Sequence, residues 1–189
     1  MSFPPFARNP EPLAPTPEPW PEIGETWKPE GVTVAQRYYN QAHAVVLVYT
    51  PEDKKPGTYY TVACLGCHFS SMEEKGTYTG TRHGLAQAAR VANEHATTCR
   101  ALPRDIPARP DDEAARKRLH AWVSAAREHD EDVRIWLTDL DLTRLTIQRT
   151  NQWIAGELQQ LAVDQPEILR TERSKDSDYV SYYVRGRES

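Results

Sequence analysis

Four residues constrain this chain more than any others: Cys64 and Cys67 in a C-x-x-C step, and His95 and Cys99 in an H-x-x-x-C step. Thiolate and imidazole are the donors that closed tetrahedral zinc sites use. Gly66 lets the Cys64–Cys67 turn reach a positive φ at little cost. His95 and Cys99, four residues apart, share one face of a helix. The 27 residues between the pairs are enough to bring that helix back onto the segment carrying Cys64. The chain has three cysteines, an odd number that a fully paired disulfide framework cannot use and a Cys3His site consumes completely. We therefore expect one structural zinc ion, Zn2+, on Cys64, Cys67, His95 and Cys99. His68 and His83 are the competing nitrogen donors. Four filled positions leave none for a catalytic water, and the deaminase pattern H-x-E with P-C-x-x-C is absent.

The surroundings of these ligands suggest the elements that carry them. His43–Thr50 (HAVVLVYT) is rich in β-branched and aromatic residues and reads as a strand. Thr58–Cys64 (TYYTVAC) reads as a second strand, hairpin-paired with the first, and a short third strand is placed near Gly76–Thr79. From His83 to Cys99, Leu85, Ala88, Ala89, Ala92 and Ala96 recur at helical spacing. The predicted unit, residues 31–103, is ββα or βββα. It resembles treble-clef and ββα zinc modules, with a strand-end knuckle and a helix-end pair. It departs from the C2H2 finger in its long spacer and final cysteine, so that finger's DNA-reading positions do not carry over.

Flanking this unit are two proline-rich stretches. Residues 1–30 hold nine of the fifteen prolines, and proline fixes φ and removes an amide donor. They read as an extended, disordered arm whose Trp20 and Trp27 are available to dock on the folded body. Residues 104–112 read as a linker, with Asp111 or Asp112 capping a helix over 114–129 that turns Leu119, Trp122, Val123 and Ala126 inward.

Residues 113–189 form the second expected domain. After the helix over 114–129 come a short strand in Asp132–Leu137, a second helix over 138–146 and a third over 149–162, with Thr150 as its cap. ILRTER and DYVSYYVR then form two strands joined by SKDS. This order resembles winged-helix domains, the likeness covering about 75 residues and resting on element order. It implies that Arg149, Thr150, Asn151 and Gln152 open a recognition helix. Arg, Asn and Gln are the side chains that read guanine and adenine edges. It also implies that Arg170, Arg173, Lys175 and Arg185 on the wing meet phosphates. Tyr179, Tyr182 and Tyr183 read as sheet packing.

Charge bears on partners. The net charge is −4, and Leu142–Ser189 contains seven basic and seven acidic residues, so DNA binding must rest on a local basic surface. The chain shows no G-x-S-x-G elbow, Walker loop or dinucleotide fingerprint. No apolar run reaches the roughly 18 residues a membrane span needs, and residues 1–12 do not resemble a signal peptide. The expectation is an α+β, cytoplasmic, non-enzymatic regulator that binds double-stranded DNA, with the zinc domain supporting a homodimer. The alternative is an adaptor in which both domains dock on a protein partner.

Overall fold

The apolar run after His43 is buried along its whole length, and the first half of the fold is built around it. In the computed structural model, which describes residues 27–52, 59–71, 83–104, 108–128, 131–175 and 179–186, it forms strand β2 (Val45–Pro51). β2 lies between β1 (Val32–Tyr39) and β3 (Thr61–Cys64) in an antiparallel sheet of order β1-β2-β3. Successive side chains of a strand point to opposite faces, so a run buried at every residue requires cover on both. On one face Val46, Val48, Val62 and Cys64 meet Ala88, Ala92 and Ala96 of helix α1 (Leu85–Thr98). Alanines four residues apart let α1 lie close against the sheet. On the other face Val45, Leu47, Tyr49, Ala63 and Leu65 share a cluster with Leu145, and Trp27, Val32, Val34 and Leu142 pack against it. Trp27 thus docks on the body; Trp20 and the rest of the arm to residue 26 lie outside the described residues, as does the expected strand near 76–79.

β1 adds a strand over residues for which the sequence patterns indicate none. It is an edge strand with alternating half-buried and exposed residues, interrupted by a bulge between Val34 and Gln36 that breaks its period of two.

The second half follows as α2 (Asp112–Ala125), a 3-10 turn at Ala126–Glu128, β4 (Val133–Ile135), a 3-10 turn at Leu137–Leu140, α3 (Asp141–Ile147), α4 (Asn151–Asp164), β5 (Leu169–Arg173) and β6 (Val180–Val184). β4 pairs with β6 and β6 with β5, giving a second antiparallel sheet of order β4-β6-β5. Ala115, Leu119 and Val123 of α2, Ile154, Leu158 and Leu161 of α4, and Leu169, Tyr182 and Val184 of the hairpin close its core. Asp111 caps α2, accepting from Ala114 N–H at 2.7 Å, and Thr150 caps α4, accepting from Trp153 N–H at 3.2 Å. The architecture is mixed α+β: four α-helices and two small antiparallel sheets among the described residues.

α3 joins the two halves. Leu145 is fully buried against the first sheet, while Ile147, two residues on, belongs to the second core. Arg144, 2 % exposed, donates to Leu137 O at 2.7 Å and to Gly31 O at 3.4 Å. Gly31 has φ +85°, and a Cβ built there would lie 2.0 Å from Arg149 O. Only glycine permits that conformation and that approach.

Candidate metal centre

The local sequence of each segment sets a donor. β3 ends at Cys64, which is buried; the following turn carries Cys67 to the surface, and Leu65 N–H donates to Val45 O at 2.9 Å to hold the turn on the sheet. Gly66 does not take the positive φ expected of it, which falls instead on His68 at φ +64°; glycine is required here by close seating, since a Cβ at Gly66 would lie 2.7 Å from Ala44 Cβ and 3.1 Å from Leu102 O. His95 occupies the last turn of α1, and Cys99, half-buried, is its C-cap, with its N–H donating to His95 O.

The donor atoms of Cys64, Cys67, His95 and Cys99 all lie within 4.8 Å of one another. Cys67 Sγ and His95 Nε2 are 3.4 Å apart. A tetrahedron with metal–sulfur arms of ~2.3 Å and a metal–nitrogen arm of ~2.0 Å has edges of about 3.5–3.8 Å, so small side-chain adjustments close it around one ion. The four residues are thus compatible with a metal site. His68 and His83 stand apart from the cluster: His68 Nε2 faces Arg104 at 3.3 Å, and buried His83 bridges to Tyr60 ahead of α1.

The outer surroundings suit thiolate chemistry. The backbone amides of Gly66 and Cys67 donate to Cys64, as the Ala101 amide does to Cys99. Asn40 adds its side-chain amide to Cys99 Sγ at 3.3 Å. Asn40 itself is 4 % exposed and locked in place. Its Nδ2 also donates to Ala101 O, and its Oδ1 accepts from the amides of Ala42 and Ala44. N–H donors aimed at ligating sulfur orient the ligand and stabilise its negative charge. Burial pushes the Cys64 thiol up to about 12 despite the two amides. At Cys99 burial also raises the value, but the hydrogen bonds from Ala101, Asn40 and the neighbouring cysteines outweigh it and the net shift is downward. Burial lowers the value of His95, favouring the neutral imidazole that a metal requires. The His95 ring stacks on Phe69 at 4.3 Å.

Asn40 is a residue of the site that the sequence patterns above do not single out. Its signal is the Asn in the turn between two strands, where such a side chain bonds its own downstream amides; its reach to Cys99, 59 residues on, is tertiary.

No known family model, curated protein or solved structure matches this chain.

The residues suggested for DNA contact are distributed unevenly. Arg149 is 2 % exposed, with its guanidinium turned inward. It donates to Asp112 Oδ1 at 2.7 and 3.0 Å, to Pro110 O at 2.7 Å and to Gln148 O at 2.9 Å. The Thr150 hydroxyl serves the helix cap, Asn151 is half-buried, and Gln152 is exposed. Arg170 sits over the Tyr183 ring at 4.1 Å and pairs with Asp132 and Glu172. Arg173, Lys175 and Arg185 are exposed, and none forms an ion pair among the described residues. No helix among the described residues is long and apolar enough to cross a membrane.

Proposed function

We propose that the chain is a non-catalytic DNA-binding regulator, with a structural zinc ion on Cys64, Cys67, His95 and Cys99 and a winged-helix module in residues 112–186. Zinc is favoured by the donor set, three thiolates and an imidazole, and by the N–H···S bonds around it. With four protein ligands, the ion holds the knuckle to the end of α1 and has no position for water.

One observation carries the DNA reading: helix, strand, helix, helix and hairpin follow in order, with β4 paired to the last strand so that β6 is central. That is the order of a winged helix, in which α4 would enter the major groove and the β5–β6 hairpin would be the wing. The contacts offered are the amides of Gln152 and Gln159 on the exposed side of α4 and the cations Arg173, Lys175 and Arg185, whereas the Gln160 amide donates to Asp164 Oδ1 at 2.9 Å. Arg149 serves the fold in this reading.

The test is a titration of the zinc-loaded full chain against a randomised duplex pool at about 0.15 M salt, the range in which specific and non-specific binding separate. An enriched motif is expected, with log affinity falling linearly in log salt. Replacing Arg173, Lys175 and Arg185 by alanine flattens that slope by about 0.9 for each phosphate no longer neutralised. Absence of enrichment, or an unchanged slope in the triple variant, refutes the reading.

A second reading, a protein-docking adaptor, is favoured by a specific feature of α4. Its outward residues Gln152, Gly156, Gln159 and Val163 include no cation, and Val163 is 74 % exposed. A protein complex that persists at high salt and is lost in Val163→Asp is the outcome that selects it.

A further inference from the structure

The metal knuckle and α3 meet inside the protein. Leu65 lies between the ligands Cys64 and Cys67, and it is also a core residue, 6 % exposed. It shares one cluster with Leu145 of α3, which is fully buried, and Leu142 packs against the same cluster. β3 therefore has Cys64 facing α1 on one side, while Ala63 on the other and Leu65 in the turn just past the strand share the cluster with α3. α3 passes directly into α4: its C-cap, Gln148, adopts φ +50°, and Arg149 and Thr150 follow before the helix begins at Asn151. Two further ties fasten this corner to the first sheet. Arg144 donates to Gly31 O, and the close approach of Gly31 to Arg149 O seats the start of β1 on the α3–α4 turn.

From this arrangement we infer that the metal site regulates the second half of the chain: occupancy of the Cys3His site sets how firmly α3, and through it the α3–α4 turn, is held. The proposal rests on the metal reading above. Binding pulls the knuckle and the end of α1 together and fixes Leu65 in the cluster. Release frees the Cys64–Cys67 turn, loosens the packing around Leu65 and lets α3 open. Coupling of this kind is reciprocal, so weakening the α3 side must also weaken metal affinity. Leu65 and Leu145 act as positioning residues, since neither carries a donor atom for the ion.

Hydrogen exchange on the full chain, with and without zinc, tests this. A ligand at one hundred times its Kd slows exchange about hundredfold wherever opening is fully coupled to its release, and not at all where the two are independent. The expected result is slowing of at least about tenfold in residues 141–148, with a smaller effect in the β5–β6 hairpin, which packs in the other core. Leu65→Ala retains all four ligands and is expected to bind one zinc ion while the effect at 141–148 collapses. Leu145→Ala approaches the same cluster from α3, and in a chelator competition it is expected to weaken zinc affinity. Three results overturn the inference while leaving the metal site standing. These are equal exchange at 141–148 with and without zinc, an equal effect in the hairpin, and unchanged zinc affinity in Leu145→Ala. Failure to bind zinc at all overturns both the inference and the metal reading.

Discussion

Gly31→Ala is the sharpest test of how the two halves are joined. Gly31 sits at φ +85°, where an L-residue costs roughly 1–2 kcal/mol. The added methyl would lie 2.0 Å from Arg149 O and 2.8 Å from Arg149 C, both backbone atoms that cannot swing away like a side-chain tip. Restoring ordinary van der Waals contact requires the start of β1 and the α3–α4 turn to separate by about 1.4 Å. That separation also lengthens the already long 3.4 Å contact from the buried Arg144 guanidinium to Gly31 O, and forcing extra volume into a packed site costs about 1–3 kcal/mol. The expected loss is about 2–5 kcal/mol, read as a fall in the urea midpoint of the zinc-saturated chain. Gly156→Ala is the control. Nothing lies within 4 Å of its Cβ and its site is a helix interior, so it should stabilise by about 0.5–1 kcal/mol. A Gly31→Ala protein within about 1 kcal/mol of the parent would refute the described seating of β1 on the second half.

Other outcomes follow from the same geometry. Arg149→Ala should cost about 2–4 kcal/mol, because it orphans the Pro110 and Gln148 carbonyls, while Asp112, 67 % exposed, returns to water. An unchanged unfolding midpoint together with lost DNA affinity would instead place Arg149 at a nucleic-acid surface. Cys99→Ala should reduce bound zinc from one ion per chain to well under one after dialysis, and metal analysis by mass spectrometry reads this directly. Because burial holds the metal-free Cys64 thiol at about 12, that group is protonated at pH 8, and zinc must displace the proton. Zinc affinity should therefore fall as pH is lowered. Calorimetry in two buffers of different ionisation enthalpy should reveal at least one proton released, and none released would contradict it. Asn40→Ala leaves all four ligands in place and should weaken zinc about 10–100-fold, the range for removing a hydrogen-bond partner of a ligand, as measured by chelator competition.

Much of the local structure is legible in the residues themselves. The buried run Val45–Pro51, the alanine spacing of α1, the cap at Thr150 and the hairpin strands near 169–173 and 180–184 all appear close to where their patterns place them. The Cys64, Cys67, His95 and Cys99 cluster is readable because thiolate and imidazole spacing on a turn and on a helix is local chemistry, and the fold needs only to bring two short segments together. β1 is not readable, since a bulged edge strand carries no sustained period.

What the sequence leaves open is the direction in which long polar side chains point. Arg149 stands just before a helix cap, and nothing in the neighbouring residues distinguishes an outward guanidinium from one folded back on Asp112, 37 residues earlier. Asn40 reaches Cys99 only because β1, β2 and the end of α1 are adjacent in space. Whether the two halves stand apart or share a surface is equally undetermined by local pattern. Leu145 is one apolar residue in a short helix, and either core could have taken it. The sequence by itself determines elements and ligand chemistry, because those depend on neighbours within a few residues. Only the tertiary structure decided which cations are buried and that α3 is held against the sheet carrying Cys64, because these depend on packing between segments distant in the chain.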